Sequence, residues 1–272
     1  MADLRMRAKV LLRSRSLAFT RDYFGASDGG ARAVYEWHGR PVHYRSGSSD
    51  TRLIYSILLK GGKKAEYALP RESGMRVEDV KTVVDIGANA GISAVYFAAS
   101  FPRAEVHAFE PDPGNCELLR MNAAASGRIH VHAFALGPRD GELTLYDSDD
   151  AANSGGFSAH TLGVNSTCGK KVPMRHAGRC FAELGIRSVD VLKIDTEGAE
   201  WDILTAVGPA LLGEVRVIMG ELHGTRDFAL LDYLQPMFDI GLKKQIRSRL
   251  FNFYALRRNS AKTSQIRATV RS

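Results

Sequence analysis

Short apolar runs alternate with helical patterns through the middle of the chain, and each run ends at or near a glycine or an acid. Their β-branched and aromatic residues predict buried strands at residues 82–86, 105–109, 129–135, 189–194 and 215–219. Periods of three and four residues predict helices at 92–100, 113–125, 201–207 and 228–235, the last with Asp227 as its N-cap. Strands that alternate with helices predict an α/β fold around a parallel sheet, closed by an antiparallel pair at 240–247 and 250–256.

Residues 1–75 precede this pattern and predict a small N-terminal addition to a main domain at 76–258. A short amphipathic helix is expected within residues 4–19, either packed on the domain or resting on a membrane surface. A hairpin is expected at 33–44, and a helix at 51–59 with Asp50 as its N-cap. Such an addition can cover the open end of a nucleotide fold and shape a substrate pocket.

A glycine turn follows the first strand of the main domain. It reads Asp85-Ile-Gly87-Ala-Asn-Ala-Gly91, and a predicted helix begins directly after it. Strand, glycine turn and helix together are typical of a nucleotide-binding unit. An acid at Asp85 would repel a pyrophosphate but suits a cationic ligand, such as the amino group of an amino acid. This pattern favours S-adenosylmethionine (SAM) over NAD.

Two further segments fit the same cofactor. Glu110 ends the second strand, 19 residues after Gly91, where an acid can accept hydrogen bonds from ribose hydroxyls. Phe134 and Ala135 end the third strand and are candidates to line an adenine pocket, with plain core packing as the alternative. Residues 147–171 are polar and glycine-rich and predict a long loop of the kind that forms a substrate lid. Ser158 and His160 lie in it, either as plain polar loop residues, which is favoured, or in reach of substrate.

Charge and cysteine content bear on partners and location. The formal net charge is +7, and residues 241–272 carry nine Lys or Arg and no acid, so the other 240 residues sum to −2. We expect residues 259–272 to be a disordered basic tail, with weak contact to an anionic membrane surface, or contact to nucleic acid, as the alternatives. The three cysteines lack metal-ligand spacing, and no apolar run is long enough for a bilayer span or a signal peptide, which predicts a cytoplasmic protein.

Several of these segments carry a family resemblance. They are Val-Asp-Ile-Gly-Ala-Asn-Ala-Gly at 84–91, Phe-Glu-Pro-Asp-Pro at 109–113, Ala-Leu-Gly at 135–137 and, above all, Leu-Lys-Ile-Asp-Thr-Glu-Gly-Ala-Glu at 192–200. On these segments the chain resembles the FkbM family of SAM-dependent methyltransferases over about residues 42–225. Residues 45–50 and the pair Glu66-Tyr67 look like the N-terminal segment of that family. It departs from the family at Arg179-Cys180-Phe181, where a Leu-Asp pair is usual.

The resemblance implies a seven-stranded class I (Rossmann-like) methyltransferase fold and methyl transfer to oxygen. The implied acceptor is a hydroxyl of a sugar, a glycan or glycolipid, or a natural product. The cofactor site is then expected to comprise Asp85, Gly87, Ala88, Asn89, Gly91, Glu110, Pro111, Phe134, Ala135 and Asp195.

Removal of the hydroxyl proton needs a base, and the candidates lie at the ends of the fourth and fifth strands. They are Asp195, Glu197, Glu221 and His223. His223 is favoured because an unperturbed imidazole titrates near neutrality, with a structural role beside Glu221 as the alternative. Asp195, Glu221 and His223 could also ligate a divalent metal such as magnesium, which is the less favoured arrangement.

Two other functions remain open. The high isoelectric point of 9.4 allows an RNA methyltransferase, but no Asn-Pro-Pro-Tyr motif follows the fourth strand, so nucleic acid is disfavoured as a substrate. A non-catalytic scaffold with the same fold is disfavoured because Asp85, Glu110 and Asp195 are all present. The oligomeric state has no signal in the sequence.

Overall fold

The structure is a computed structural model that describes residues 2–25, 30–147, 157–158, 169–223, 226–244 and 251–258. Its helices are α1 Ala2–Ser14, α2 Leu17–Phe24, α3 Ser49–Leu53, α4 Ile92–Ser100, α5 Pro113–Ala123, α6 Ala177–Glu183, α7 Glu200–Val207, α8 Pro209–Leu212 and α9 Asp227–Leu234. Its strands are β1 Arg32–Trp37, β2 Arg40–Arg45, β3 Thr82–Ile86, β4 Glu105–Phe109, β5 Ile129–His132, β6 Ala135–Gly137, β7 Gly141–Asp147, β8 Phe157–Ser158, β9 Gly169–His176, β10 Val189–Ile194, β11 Val215–Leu222, β12 Phe238–Lys244 and β13 Phe251–Arg257.

A seven-stranded sheet forms the centre of the molecule, in the order β12-β13-β11-β10-β3-β4-β5. Strand β13 runs antiparallel to both of its neighbours, and the strands from β11 to β5 pair in parallel. The central strands are buried on both faces, which is why they read as nearly continuous apolar runs. This sheet confirms the predicted α/β class and the antiparallel closing pair.

The central elements match their predictions, and the departures lie at the periphery. Strands β3, β4 and β10 and helix α4 have the predicted bounds. The predicted strand at 129–135 divides into β5 and β6, because the chain leaves the central sheet after His132 and enters a second sheet. That sheet has the order β6-β9-β7-β8.

The expectation of a loop through residue 171 is wrong in part. Gly169 begins β9, which pairs with β7, and Ser158 lies in the short strand β8. Two lysines and a proline hide β9 in the sequence, because one of its faces lies at the surface. His160 lies outside the described residues.

The N-terminal elements are also revised by the structure. The predicted helix at 4–19 is two helices, since Arg15 takes a positive φ of 52° and the Ser16 hydroxyl accepts a hydrogen bond from the Phe19 N–H. The hairpin of β1 and β2 is confirmed. Ser48, not Asp50, caps α3, and the helix continues in π-helical form over Ile54–Leu59.

The structure also shows how helices α9 and α7 begin. Helix α9 has Arg226 at its N-cap position, and Asp227 lies in its first turn instead. Glu200 begins α7, and its Oε1 accepts hydrogen bonds from the backbone N–H groups of Thr196 at 2.9 Å and Gly198 at 3.3 Å. The carboxylate thus satisfies backbone donors of the turn between β10 and α7.

Among the residues that the structure describes, two apolar clusters make up the core, one on each face of the central sheet. The first joins the N-terminal elements to that sheet, since Phe19, Tyr35 and Ile57 belong to it together with Val83 and Val191. The second fills the opposite face under α6, α7 and α9. Within the part of the chain that the structure describes, no helix combines the length and the hydropathy needed to cross a membrane.

Candidate active site

A cavity of about 240 Å³ opens at the carboxyl ends of β3, β4, β10 and β11, the edge of a parallel sheet where ligands bind. Leu53 and Ile57 of the α3 and π-helical segment form part of its wall. The predicted site residues that line it are Gly87, Ala88, Asn89, Glu110, Pro111, Phe134, Ala135, Asp195, Glu197 and Glu221. Asp85, Gly91 and His223 are not among its lining residues.

The glycine turn brings the backbone of two strands into close contact. Gly87 has a φ of +75°, and a Cβ at this position would lie 1.9 Å from the Asp195 carbonyl oxygen. The Asp195 N–H donates to the Ile86 carbonyl at 3.1 Å, so the two strand ends are joined directly. Only glycine fits there, for both steric and conformational reasons.

Gly91 serves packing rather than the cavity. Its φ is +85°, and a Cβ would lie 2.6 Å from Leu119 Cδ1 in α5. Gly91 therefore lets α4 and α5 approach each other, and its contact with the cofactor stays a prediction.

The sequence predicts that Asp85 faces the cavity, but Asp85 is not among the residues that line it. It is fully buried, its Oδ1 lies 3.2 Å from Lys193 Nζ, and its Oδ2 accepts a hydrogen bond from Ser93 Oγ at 2.6 Å. Lys193 also donates to the Gly87 carbonyl at 2.6 Å and itself lines the cavity. The acid is thus neutralised within the protein, which removes the reason to expect it to bind a cationic ligand directly.

Lys193 is a site residue that reasoning from the sequence misses. Burial alone would lower the pKa of its ammonium group, but the charges of Asp85 and Asp195 hold that pKa above the usual value. The available signal is a lysine inside an apolar strand, since a buried lysine requires a counter-charge. The sequence does not identify that counter-charge, because Asp85 lies opposite Lys193 on the neighbouring strand and 108 residues earlier in the chain.

Glu110 lies where the prediction placed it, buried at the end of β4 and on the cavity wall. Its Oε2 accepts the Asn89 N–H at 2.8 Å, and its Oε1 accepts the Asp112 N–H at 2.8 Å and Asn115 Nδ2 at 3.3 Å. A carboxylate has about four acceptor positions, so an acceptor position remains for a ligand. Burial raises the pKa of Glu110 to about 7, against the opposing effect of these hydrogen bonds.

The far end of the cavity is rich in carboxylates. Asp195 Oδ2 accepts a hydrogen bond from the Tyr67 hydroxyl at 3.0 Å, and Glu66, Glu197 and Glu221 line the same end. Burial raises the pKa of Glu66 and of Glu197. Tyr67 and Glu66 are visible in the sequence only as part of the family resemblance, because nothing local places them beside a strand 128 residues away.

His223 lies behind this end and is surrounded by acids. Its Nε2 is 3.1 Å from Glu221 Oε2, 3.9 Å from Asp195 Oδ1 and 3.8 Å from Glu197 Oε2, and its side chain is 8% exposed. Burial alone would lower its pKa, but the facing carboxylates, led by Glu200 and Glu221, raise that pKa to about 11. The expectation that this imidazole titrates near neutrality is wrong, because it takes no account of these neighbours.

The comparison with known proteins decides the family. The family profile described as the methyltransferase FkbM domain matches residues 85–252, which is more than half of the chain. The chain belongs to the FkbM methyltransferase family. The resemblance drawn from the motifs is thereby confirmed.

Relatives of this chain have different named activities. The 2-O-methyltransferase NoeI of Sinorhizobium fredii is 27% identical over 177 residues, which cover 58% of this chain and 72% of NoeI. The 31-O-demethyl-FK506 methyltransferase FkbM of Streptomyces tacrolimicus is 28% identical over 179 residues, covering 55% of this chain and 68% of the relative. The AMB antimetabolite synthetase AmbE of Pseudomonas aeruginosa is 27% identical over 223 residues, but the chain spans only 10% of its length.

Solved structures with a related chain path include other methyltransferases. A precorrin-6y C5,15-methyltransferase from Geobacter metallireducens is 14% identical, with a TM-score of 0.42 over 68% of this chain and 85% of that one. An rRNA methylase from Streptococcus thermophilus is 12% identical, with a TM-score of 0.43 over 67% of this chain and 89% of that one. The fold assignment rests on the strand order described above.

A methyltransferase of this fold implies SAM as the methyl donor. The residues of this FkbM-family cavity fit such a group, since Gly87, Ala88 and Asn89 of the glycine turn line the cavity and Glu110 keeps acceptor capacity. For a divalent metal, Asp195, Glu221 and His223 each offer a ligand atom, and these atoms lie within 4.8 Å of one another. Carboxylate oxygens and an imidazole are a set that such ions accept.

Proposed function

We propose that this protein transfers a methyl group from SAM to a hydroxyl of a sugar, a glycan or glycolipid, or a natural product. The carboxylates of Asp195, Glu197 and Glu221 carry this proposal, since they line the same cavity as the glycine turn and can accept hydrogen bonds from several hydroxyls at once. The relatives named as O-methyltransferases support the choice of oxygen as the acceptor atom.

The cofactor end would hold the methyl donor. The turn residues Gly87, Ala88 and Asn89 present backbone to the ligand, Glu110 accepts from ribose hydroxyls, and Phe134 and Ala135 line the space for the adenine. When bound, SAM supplies an electrophilic methyl group on a sulfonium that needs no further activation. The residues therefore contribute mainly binding and orientation, which account for most of the rate in such a transfer.

Asp195 is the proposed proton acceptor. It lines the cavity, its backbone contacts the glycine turn, and the Tyr67 hydroxyl fixes its carboxylate by donating to Oδ2. A carboxylate held in this way can orient an acceptor hydroxyl and take its proton. His223, behind Asp195 and Glu221, then keeps these carboxylates in place rather than acting on substrate itself.

A divalent cation such as magnesium is the alternative at the same residues. Held by Asp195, Glu221 and His223, it would orient the acceptor oxygen and make its proton easier to lose. Titration calorimetry with magnesium chloride separates the two arrangements without an activity measurement. Heat that disappears in Glu221→Gln and persists in the surface variant Glu214→Gln would favour the cation, and its absence in the wild type would exclude it.

Calorimetry with SAM, and with NAD as the control ligand, tests the proposed function first. We expect micromolar SAM binding and no NAD heat, followed by transfer of labelled methyl groups to a polyhydroxyl acceptor in a screen. Asp195→Asn should lower turnover at least about 100-fold with little change in SAM affinity, whereas Asp239→Asn, in an exposed ion pair with Arg258, should leave it unchanged. Absence of SAM binding would favour a scaffold, and transfer to RNA alone would favour the nucleic-acid alternative.

A further inference from the structure

Helix α1 has two apolar faces, of which only one is packed against the domain. The inner face carries Val10, which is fully buried, and Met6, which packs against the first apolar cluster. On the outer face Leu4 is 74% exposed and Leu12 is 76% exposed, with Leu11 at their side. Residues seven and eight positions apart lie on one face of a helix, so these leucines form a continuous exposed stripe.

Positive charge surrounds this stripe. Residues 4–21 contain six Lys or Arg and no acid. Arg5, Lys9 and Arg15 are exposed beside the leucines, whereas Asp22, the acid that follows, is buried and accepts a hydrogen bond from the Tyr44 hydroxyl at 2.8 Å. An exposed apolar stripe flanked by basic side chains is the pattern of a helix that lies in the plane of an anionic lipid interface.

We propose that α1 lies on the surface of an anionic lipid bilayer, with Leu4, Leu11 and Leu12 inserted among the acyl chains and its basic residues at the headgroups. A nucleic acid would pair with the basic side chains but leave the leucines exposed to water. An anionic bilayer would pair with the basic side chains and also bury the leucines. The loss of apolar exposure and the attraction to anionic headgroups therefore act together at one surface.

The position of α1 connects this surface to the cavity. Arg13 Nη1 donates to the Leu59 carbonyl at 3.1 Å, and its guanidinium lies 5.6 Å from the centre of the Tyr55 ring. Both residues belong to the π-helical segment whose Ile57 lines the cavity. A bilayer bound to α1 would thus lie roughly one helix diameter, about 10 Å, from that wall. The protein would work beside the membrane surface, where an acceptor attached to a lipid is concentrated.

Co-sedimentation of the full chain with vesicles tests the proposal. Phosphatidylcholine vesicles with and without phosphatidylserine separate charge from apolar binding, and added salt should weaken the anionic case. One variant, Leu4→Ser with Leu12→Ser, removes the proposed apolar contacts. A second, the α1 charge variant, removes three positive charges in α1 or directly after it by the changes Arg5→Gln, Lys9→Gln and Arg15→Gln.

Two further variants serve as matched controls. The tail control combines Lys262→Gln, Arg267→Gln and Arg271→Gln, so it removes the same number of positive charges as the α1 charge variant, but from the basic C-terminal end. Phe228→Ser removes an apolar side chain that is 84% exposed on α9, away from the leucine stripe. The two controls thus show whether vesicle binding depends on where the charges and the exposed apolar side chains lie, and not only on their number.

We expect the wild type to bind the anionic vesicles only. The α1 charge variant should lose about 100-fold in vesicle affinity, since each basic residue near the surface contributes about fivefold. The leucine variant should lose at least about tenfold, whereas both controls should bind like the wild type. SAM affinity, measured on the same samples, should not change in any of them.

Three results would overturn the proposal. The first is absence of binding by the wild type. The second is binding that the leucine variant retains in full, particularly if RNA competes with the vesicles, since the basic surface would then be a polyanion contact. The third is loss of binding in the tail control alone, which would assign the contact to residues 259–272. None of these results bears on methyl transfer, so the proposed function stands or fails separately.

Discussion

Lys193 Nζ lies 3.2 Å from Asp85 Oδ1, and the two residues are direct neighbours across β10 and β3 beneath the cavity. Removing one partner leaves the other charge buried without compensation. We expect Asp85→Asn and Lys193→Met each to lower the free energy of unfolding by about 3–5 kcal/mol. The double variant should cost less than the sum, because it removes both charges. Denaturant unfolding of all four proteins measures the coupling, and additive losses would contradict a direct interaction.

Two alanine variants can separate the steric effect of the close contact at Gly87 from the cost of its positive φ. Gly87→Ala places a Cβ 1.9 Å from the Asp195 carbonyl oxygen, whereas Gly185→Ala, at a similar φ of +71°, meets nothing within 4 Å. Both changes carry the cost of a positive φ, about 1–2 kcal/mol. Only Gly87→Ala should also displace the end of β10 and reduce SAM affinity by at least about 100-fold. Equal SAM affinities in two folded variants would show that the contact is unimportant.

The Tyr67 hydroxyl should affect turnover more than cofactor binding. Tyr67→Phe removes the hydrogen bond to Asp195 Oδ2, and a hydrogen bond to a charged group contributes about 1.5–3 kcal/mol. We expect turnover to fall about 10- to 100-fold while SAM affinity stays near the wild-type value. Tyr44→Phe is the matched control, because its buried hydroxyl donates to Asp22, away from the cavity. An equal loss of turnover in both variants would point to a general loss of stability.

Glu110 should make SAM affinity depend on pH. Its pKa is raised to about 7, so below that pH the carboxyl is protonated and loses acceptor capacity toward ribose hydroxyls. Affinity should therefore fall as pH drops through 7, by up to about tenfold per unit. Calorimetry over a pH series measures this, and Glu110→Gln is the control, since it should bind weakly and without the same pH dependence.

The stability of the ligand-free protein should change with pH in the opposite direction. The pKa of the Glu110 carboxyl is higher in the folded state, about 7, than its ordinary value of 4.5. Its contribution to stability is therefore fully present below pH 4.5 and is lost as pH rises through 7. Denaturant unfolding of the wild type and Glu110→Gln isolates this contribution as the difference between their pH profiles, and parallel profiles would contradict the raised pKa.

The central part of the fold is predictable because its signals are local. The strand Thr82–Ile86 and the helix Ile92–Ser100 are evident from residue type over a few positions, and the glycines mark the turn between them. Strand β9 escapes prediction because its buried residues Val172 and Met174 are separated by a proline and flanked by charged residues. A strand with one face at the surface depends on its partner, here β7, for recognition.

The sequence predicts where in the fold the site lies, but it does not predict how the side chains of the site are paired. Glu110 and Asp195 follow strands that reach the same edge of the sheet, which a motif can show. The pairing of Asp85 with Lys193 depends on strand order and register, and the acids around His223 come from separate strand ends. A residue's titration depends on such neighbours, so the choice of His223 as base cannot be checked from its own position in the chain.

The core shared by the N-terminal elements and the central sheet has a consequence for synthesis. Tyr44 packs in one cluster with Val217, which lies 173 residues later in the chain. At about 5–20 residues per second, a ribosome needs roughly 9–35 s to make the intervening chain. During that time Phe19, Tyr35 and Tyr44 can contact one another, but they lack the part of the cluster that β10 and β11 supply. The apolar cluster behind the first-translated wall of the cavity is therefore complete only after β11 has been made, and nascent chains should depend on a chaperone over this interval.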